Sequence, residues 1–170
     1  MHPTEITDAL NGMVIIVDSR EQDTVQLHNR LKHFDRYERA KLDAGDYGAK
    51  FPLPSGGWLQ IPVAVERKMS LDELCMCFCQ ERPRFKAEFE RAKASGTKTY
   101  LLVETGSWEK VYAGDYRSKM KPAALVASIA AWLARYDCQL LFCEKRSTGK
   151  LIRDLLYREG KEALERMADE

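Results

Sequence analysis

The chain has 170 residues, of which 45% are hydrophobic and 31% are charged, and its formal net charge is +1. This composition excludes a disordered protein, because enough apolar surface is present for a core, and the length suits one domain. No run of about 18 apolar residues is present, and the first residues lack the parts of a secretory signal. Five cysteines exclude an even disulfide framework, so a reducing, cytoplasmic compartment is expected.

Residues 1–12 are interpreted as a loose polar lead-in, and residues 13–170 as a single domain. The apolar run at 13–17 predicts a strand buried on both faces, which ends at Asp18. Ligand sites of α/β folds lie at such carboxyl ends, so Asp18 is a candidate metal ligand, with helix capping as the alternative. Arg20 and Glu21 would assist there, although Glu21 would equally suit a cap for the helix predicted near 23–33.

Strands are predicted near 36–42, 46–52 and 58–67, with a hairpin turned by PLPSGG. In VAVERK, Glu66 and Lys68 lie on the same face because side chains of a strand alternate. Arg67 points the other way and is expected to brace the structure through an internal carboxylate. Together with Asp46, these residues place carboxylates beside a lysine, which suits metal-assisted phosphodiester hydrolysis. The alternative is an ordinary charged surface patch.

A helix is predicted to open at Ser70, with Glu73 completing a capping box. Asp72 lies in the first turn of this helix. An acid at this position either interacts favourably with the helix dipole or has an auxiliary role in the site. Further elements are predicted at 84–95 (helix), 98–104 (strand), 121–135 (helix), 138–143 (strand) and 147–167 (helix), with a polar connection after 104. This alternation predicts an α/β fold, a central mixed sheet flanked by helices on both faces.

Two basic clusters are candidates for DNA binding, with solvated helix faces as the alternative. The first consists of Arg82, Arg84, Lys86, Arg91 and Lys93, and the second of Arg117, Lys119 and Lys121. The CMCFC run at 75–79 lacks zinc-ligand partners, so buried apolar cysteines are the better interpretation. The alanine-rich helix after Pro122 belongs either to the core or to an interface.

Three motifs occur in order: VDSRE at 17–21, GD at 45–46, and ERKMSLD at 66–72. Together they resemble the nuclease domain of the XPF and Hef type of structure-specific endonucleases, and a looser resemblance covers 13–157. This resemblance implies a restriction-endonuclease-like core that cuts branched, flap, fork or junction DNA with Mg²⁺ or Mn²⁺, in repair, recombination or replication. It also implies that Asp18, Asp46 and Glu66 bind the metal while Lys68 assists the attacking water.

Members of that family usually add a helix-hairpin-helix domain, which grips duplex DNA and dimerises. The chain ends at Glu170, so we expect a stand-alone domain of prokaryotic or phage origin, acting as a homodimer or with a DNA-binding partner. The competing interpretation is a non-catalytic subunit that binds or scaffolds DNA. This chain retains every acid of the motifs, which argues against that interpretation. An enzyme that acts on a small molecule would need an apolar pocket or a cofactor fingerprint, and the sequence indicates neither of them. It also gives no indication of a nucleotide cofactor.

Overall fold

The computed structural model describes residues 1–170, which form seven strands and seven α-helices. The strands belong to one mixed sheet, so the predicted α/β fold with a central sheet and flanking helices is confirmed. The chain divides into two units, which are described in turn. Unit 1 comprises residues 1–42, 46–63 and 149–170, and unit 2 comprises residues 43–45 and 64–148.

Unit 1 is built on the predicted first strand. Its elements are α1 (Pro3–Asn11), β1 (Val14–Asp18), α2 (Val25–Leu31), β2 (Tyr37–Ala40), β3 (Tyr47–Pro52), β4 (Trp58–Gln60) and nearly all of α7 (Thr148–Asp169). Strand β1 pairs parallel with β2 and antiparallel with β3, so that Ile15 lies opposite both Tyr37 and Ala49. Strands β3 and β4 form an antiparallel hairpin, as predicted.

The expected loose lead-in is instead helix α1. Pro3 occupies its first turn, the His2 ring accepts the Thr4 N–H, and Glu5 Oε2 accepts the His2 N–H at 2.7 Å. Leu10 and Ala9 are buried. The prediction was wrong because the segment was judged by its polarity, whereas proline at the first position and a capping acid at the third are themselves helix signals.

The predicted strand 58–67 is two strands, β4 and β5 (Val63–Lys68). Pro62 lies between them and has no N–H to donate to a ladder, so the pairing is interrupted there. The Val63 N–H bonds to the Ile61 carbonyl at 2.9 Å, which closes a tight turn around the proline. Consequently the chain enters β5 as a separate element.

Unit 2 contains the elements after this turn: β5, α3 (Leu71–Phe78), α4 (Arg82–Ala94), β6 (Lys98–Glu104), α5 (Trp108–Ala113), α6 (Pro122–Tyr136) and β7 (Gln139–Cys143). Strand β6 lies between β5 and β7, and pairs parallel with β7. Helix α5 falls in the predicted polar connection. Its signals are Ser107, whose hydroxyl accepts the Lys110 N–H at 3.1 Å, and Gly114, which ends the helix with a φ of 68°.

An aromatic cluster fills the core of unit 2. The rings of Phe85 and Trp132 stack at 5.2 Å, and Phe89 meets Phe85 at 4.9 Å. Trp132 belongs to α6, in which Leu125, Ile129 and Tyr136 are also buried, so the core interpretation of this helix is confirmed for that face. Cys75 and Cys77 also lie in this core, as the interpretation of CMCFC required, whereas Cys79 is exposed. No helix of the structure is long and apolar enough for a membrane span.

Candidate active site

Strand β5 presents Glu66 and Lys68 side by side, as its alternating pattern predicted. Their side chains form an ion pair, with 3.0 Å between Lys68 Nζ and Glu66 Oε1. Only 12% of the lysine side chain and 7% of the glutamate side chain are exposed. A buried pair of this kind holds the ammonium in one place, because neither group can leave without losing its partner.

Two residues that sequence reasoning missed also surround Lys68. Its ammonium lies over the ring of Phe85, 5.2 Å from the centroid, and its side chain hydrogen-bonds the thiol of Cys77. Burial raises the pKa of Cys77 to about 11, although the neighbouring ammonium acts in the opposite direction, so the thiol is neutral at pH 7. The residues belong to α3 and α4, and no motif indicated that these helices would reach Lys68.

Arg67 turns to the opposite side, as predicted, and finds an internal carboxylate. Its guanidinium pairs with Glu104 Oε1 at the end of β6. The other oxygen, Oε2, accepts the hydroxyl of Thr148 at 2.6 Å. Glu104 and Thr148 are almost fully buried, so this bridge ties β5, β6 and the first residue of α7 together inside unit 2.

Asp18 lies at the end of β1, and only 1% of it is exposed. Its Oδ1 accepts the backbone N–H and the Nε–H of Arg20, at 2.9 and 2.8 Å. Its Oδ2 accepts the Leu42 N–H at 2.8 Å and a second guanidinium N–H of Arg20 at 3.3 Å. Burial acts to raise the pKa of Asp18, but these hydrogen bonds prevail and hold the pKa below its ordinary value. The carboxylate is therefore charged and fully engaged in shaping the strand end.

Glu21 joins a buried polar network instead of capping a helix. Its Oε2 accepts from the Arg30 guanidinium and from the Tyr47 hydroxyl, each at 3.3 Å. Arg30 Nε also donates to Tyr47 Oη at 2.8 Å, so the three side chains link the end of β1, α2 and the start of β3. The α2 cap is Thr24, whose hydroxyl accepts the Leu27 N–H at 3.1 Å. Glu21 therefore stabilises the adjoining ends of β1 and β3, where Asp18 and Asp46 lie.

Asp46 stands directly before β3 and is half-buried. Its backbone carbonyl accepts the Asp18 N–H at 2.8 Å, so two of the predicted acids lie at adjoining strand ends. Gly45 has a φ of 72°, and a Cβ there would meet the Cβ of Ala64 at 2.7 Å. Glycine is thus required at this position by both the left-handed backbone and the close approach to β5.

The remaining predicted residues lie outside strand β5. Asp72 accepts backbone N–H groups of the loop after α5. The five cations of the first basic cluster are exposed along α4, and Lys119 and Lys121 are exposed before α6.

No group of three or more His, Cys, Asp and Glu side chains is arranged to hold a metal ion. In donor chemistry, however, the carboxylate oxygens of Asp46 and Glu66 are the hard ligands that Mg²⁺ prefers. Asp18 fits a direct ligand less well, because its two oxygens already accept four hydrogen bonds.

Comparison with known proteins finds similarity over most of the chain. The model of the ERCC4 domain matches residues 17–155. A solved structure of XPF from Aeropyrum pernix matches with a TM-score of 0.59 and 21% identity, over 84% of this chain and 59% of that one. XPF from Aeropyrum pernix in complex with DNA matches with a TM-score of 0.61 and 22% identity, over 88% and 66%. The chain thus spans less than two thirds of either XPF chain. Among curated proteins, none matches.

Proposed function

The chain belongs to the ERCC4 domain family, whose members are nucleases, and on this basis we propose that it is a divalent-metal-dependent endonuclease. The reaction would be hydrolysis of DNA phosphodiester bonds. The observation that carries the proposal is the Glu66–Lys68 pair, in which a buried carboxylate holds a lysine ammonium at 3.0 Å on the motif that the family resemblance singles out.

Lys68 would act as an ammonium in this reaction. The ion pair with Glu66 and the contact with the ring face of Phe85 hold the ammonium in place, so the group is suited to stabilise charge on a phosphate and to orient the attacking water by donating a hydrogen bond.

Asp46 and Glu66 would hold the Mg²⁺ or Mn²⁺ ion, and Asp18 would act through the backbone that it shapes or through a water. The bound ion would supply Lewis-acid stabilisation of the phosphate and a more acidic water. The support for this assignment is the donor chemistry of the two acids and the hydrogen bond that sets Asp46 beside Asp18.

The substrate would be branched, flap, fork or junction DNA, which accords with the resemblance to structure-specific nucleases and with XPF having been solved with DNA. Exposed cations on α4 and on the loop before α6 would contact phosphates. A homodimer or a second DNA-binding protein would extend that grip.

The test is a cleavage panel of single-stranded, duplex, flap, fork and four-way-junction DNA with Mg²⁺, Mn²⁺ or no added metal. We expect a branched substrate to be cut only with metal, and Lys68→Ala to lose at least about a hundredfold in rate. Lys32→Ala, which changes an exposed lysine of unit 1, is the control.

Two outcomes would reject the proposal. Lys68→Ala that folds and cuts like wild type would remove Lys68 from the chemistry. Wild type that binds forks but cuts no substrate with either metal would identify a DNA-binding subunit instead.

A further inference from the structure

Asp72 is hydrogen-bonded to the loop that follows α5, the 114–121 loop. Its Oδ1 accepts two consecutive backbone N–H groups, from Arg117 at 2.8 Å and from Ser118 at 2.7 Å. Its Oδ2 lies 3.6 Å from the Nε of Arg117. A carboxylate that accepts two backbone N–H groups fixes the direction of the chain at that point.

Further contacts hold the same loop on helix α3. The side chain of Ser118 hydrogen-bonds the Cys75 thiol, one turn after Asp72 on α3. The Ser118 hydroxyl also accepts the Met120 N–H at 3.2 Å, and the Tyr116 hydroxyl donates to the Met120 carbonyl at 2.7 Å. The loop therefore has one defined conformation although it contains no helix or strand.

The side chains of the loop alternate between the two sides. Ser118 and Met120 are half-buried towards α3, whereas Arg117, Lys119 and Lys121 are exposed. The side chain of Arg117 is 96% exposed. Asp115 is the one acid within the loop, so the loop itself carries three exposed cations and one exposed acid, and Arg117 also pairs with Asp72.

We propose that Asp72 is a positioning residue, which sets the 114–121 loop as a contact surface for DNA phosphates. This inference rests on the proposed function, since it names how the same enzyme holds its substrate. Exposed cations on an ordered backbone bind a phosphate chain with less ordering cost than cations on a mobile one. In this assignment Asp72 affects the binding of DNA and leaves the hydrolytic step to Glu66 and Lys68.

The conservative variant Asp72→Asn separates the two roles. An asparagine oxygen can still accept both backbone N–H groups, but the amide is neutral and is a poor metal ligand or proton acceptor. Asp72→Ala removes the acceptor altogether. Arg117→Gln with Lys119→Gln removes two cations and keeps the anchor, and Arg158→Gln with Arg166→Gln on α7 is the control of equal charge.

Each variant is assayed for kcat and KM on the branched DNA that wild type cuts best, and for the dependence of Kd on salt. We expect Asp72→Ala to raise KM about tenfold with kcat within about twofold, and Asp72→Asn to stay near wild type. The double Gln variant on the loop should raise Kd and reduce the slope of log K against log salt by about 2. The control on α7 should change neither quantity.

The inference is overturned if Asp72→Asn loses kcat at unchanged KM, because that pattern identifies a catalytic or metal-binding carboxylate. It is also overturned if the double Gln variant binds DNA with the affinity and salt slope of wild type, whether or not Asp72→Ala folds. A wild-type protein that neither binds nor cuts DNA would reject the proposed function itself, which is a distinguishable result.

Discussion

The ring face of Phe85 contacts the Lys68 ammonium. Replacing the ring tests how much the position of the ammonium affects the rate of cleavage. In Phe85→Leu the residue remains apolar and buried, but the ring face beneath Lys68 Nζ is lost. The ammonium lies 5.2 Å from the ring centroid and the lysine side chain is largely buried, so the cation–π contribution belongs to the upper part of its range, about 1–2 kcal/mol. At about 1.4 kcal/mol per factor of ten, the loss corresponds to about 5- to 30-fold in the rate of the chemical step.

Phe89→Leu is the matched control, since Phe89 is also buried in the same aromatic cluster on α4. Phe89→Leu should cost about 1 kcal/mol of unfolding free energy, and Phe85→Leu should cost that amount plus the lost cation–π contribution, both measured by urea titration. Single-turnover cleavage with saturating protein then isolates the chemical step from binding. We expect Phe85→Leu alone to slow it. Equal rates for the two Leu variants would refute the view that the ring positions Lys68.

Three further predictions concern the local structure. Gly45→Ala should lower the free energy of unfolding by about 2 kcal/mol or more, measured with urea, because the φ of 72° and the 2.7 Å approach to Ala64 both oppose a Cβ; an unchanged midpoint would contradict the geometry. The pKa of Asp18 is lowered by folding, so its stabilisation is complete above about pH 4, the unfolded value, and is lost as pH falls through the folded pKa. Urea midpoints of wild type should therefore fall more steeply below pH 4 than those of Asp18→Asn, and parallel curves would exclude this contribution. A thiol reagent at pH 8 should modify Cys79 in the native protein well before Cys75 and Cys77, which are buried; mass mapping that finds equal rates would argue against the packing of α3.

Local patterns predicted the elements well where a periodic apolar face or a strong cap was present. The alternation in VAVERK placed Glu66 and Lys68 together, and Ser70 caps α3, with its hydroxyl accepting the Glu73 N–H at 3.1 Å. The reciprocal half of the predicted capping box differs, because Glu73 accepts the N–H of Met69 instead of that of Ser70. Helix α5 was missed since six residues carry too little periodicity to outweigh a polar composition.

Partners that lie far apart in the chain could not be predicted from spacing. Asp18 binds the N–H of Leu42, and Asp72 binds N–H groups more than 40 residues away. Backbone donors carry no side-chain signature, so nothing in the sequence marks Leu42 as a partner of an acid. The roles of Asp18 and Asp72 as anchors therefore became visible only with the fold. From the sequence, Asp18 was a candidate metal ligand because of its place at a strand end and the family resemblance, and Asp72 was an auxiliary candidate in the first turn of a helix.

The bridge from Arg67 through Glu104 to Thr148 makes β5 a strand with a single permitted alignment. Three consecutive charged residues end this strand, and a shift by one position would exchange its two sides. Arg67 would then leave its buried carboxylate, and Lys68 would enter a space that is matched to a guanidinium and a hydroxyl. The ion pair with Glu104 thus discriminates against the slipped strand, and so keeps Glu66 and Lys68 together on the side of β5 that faces away from Glu104.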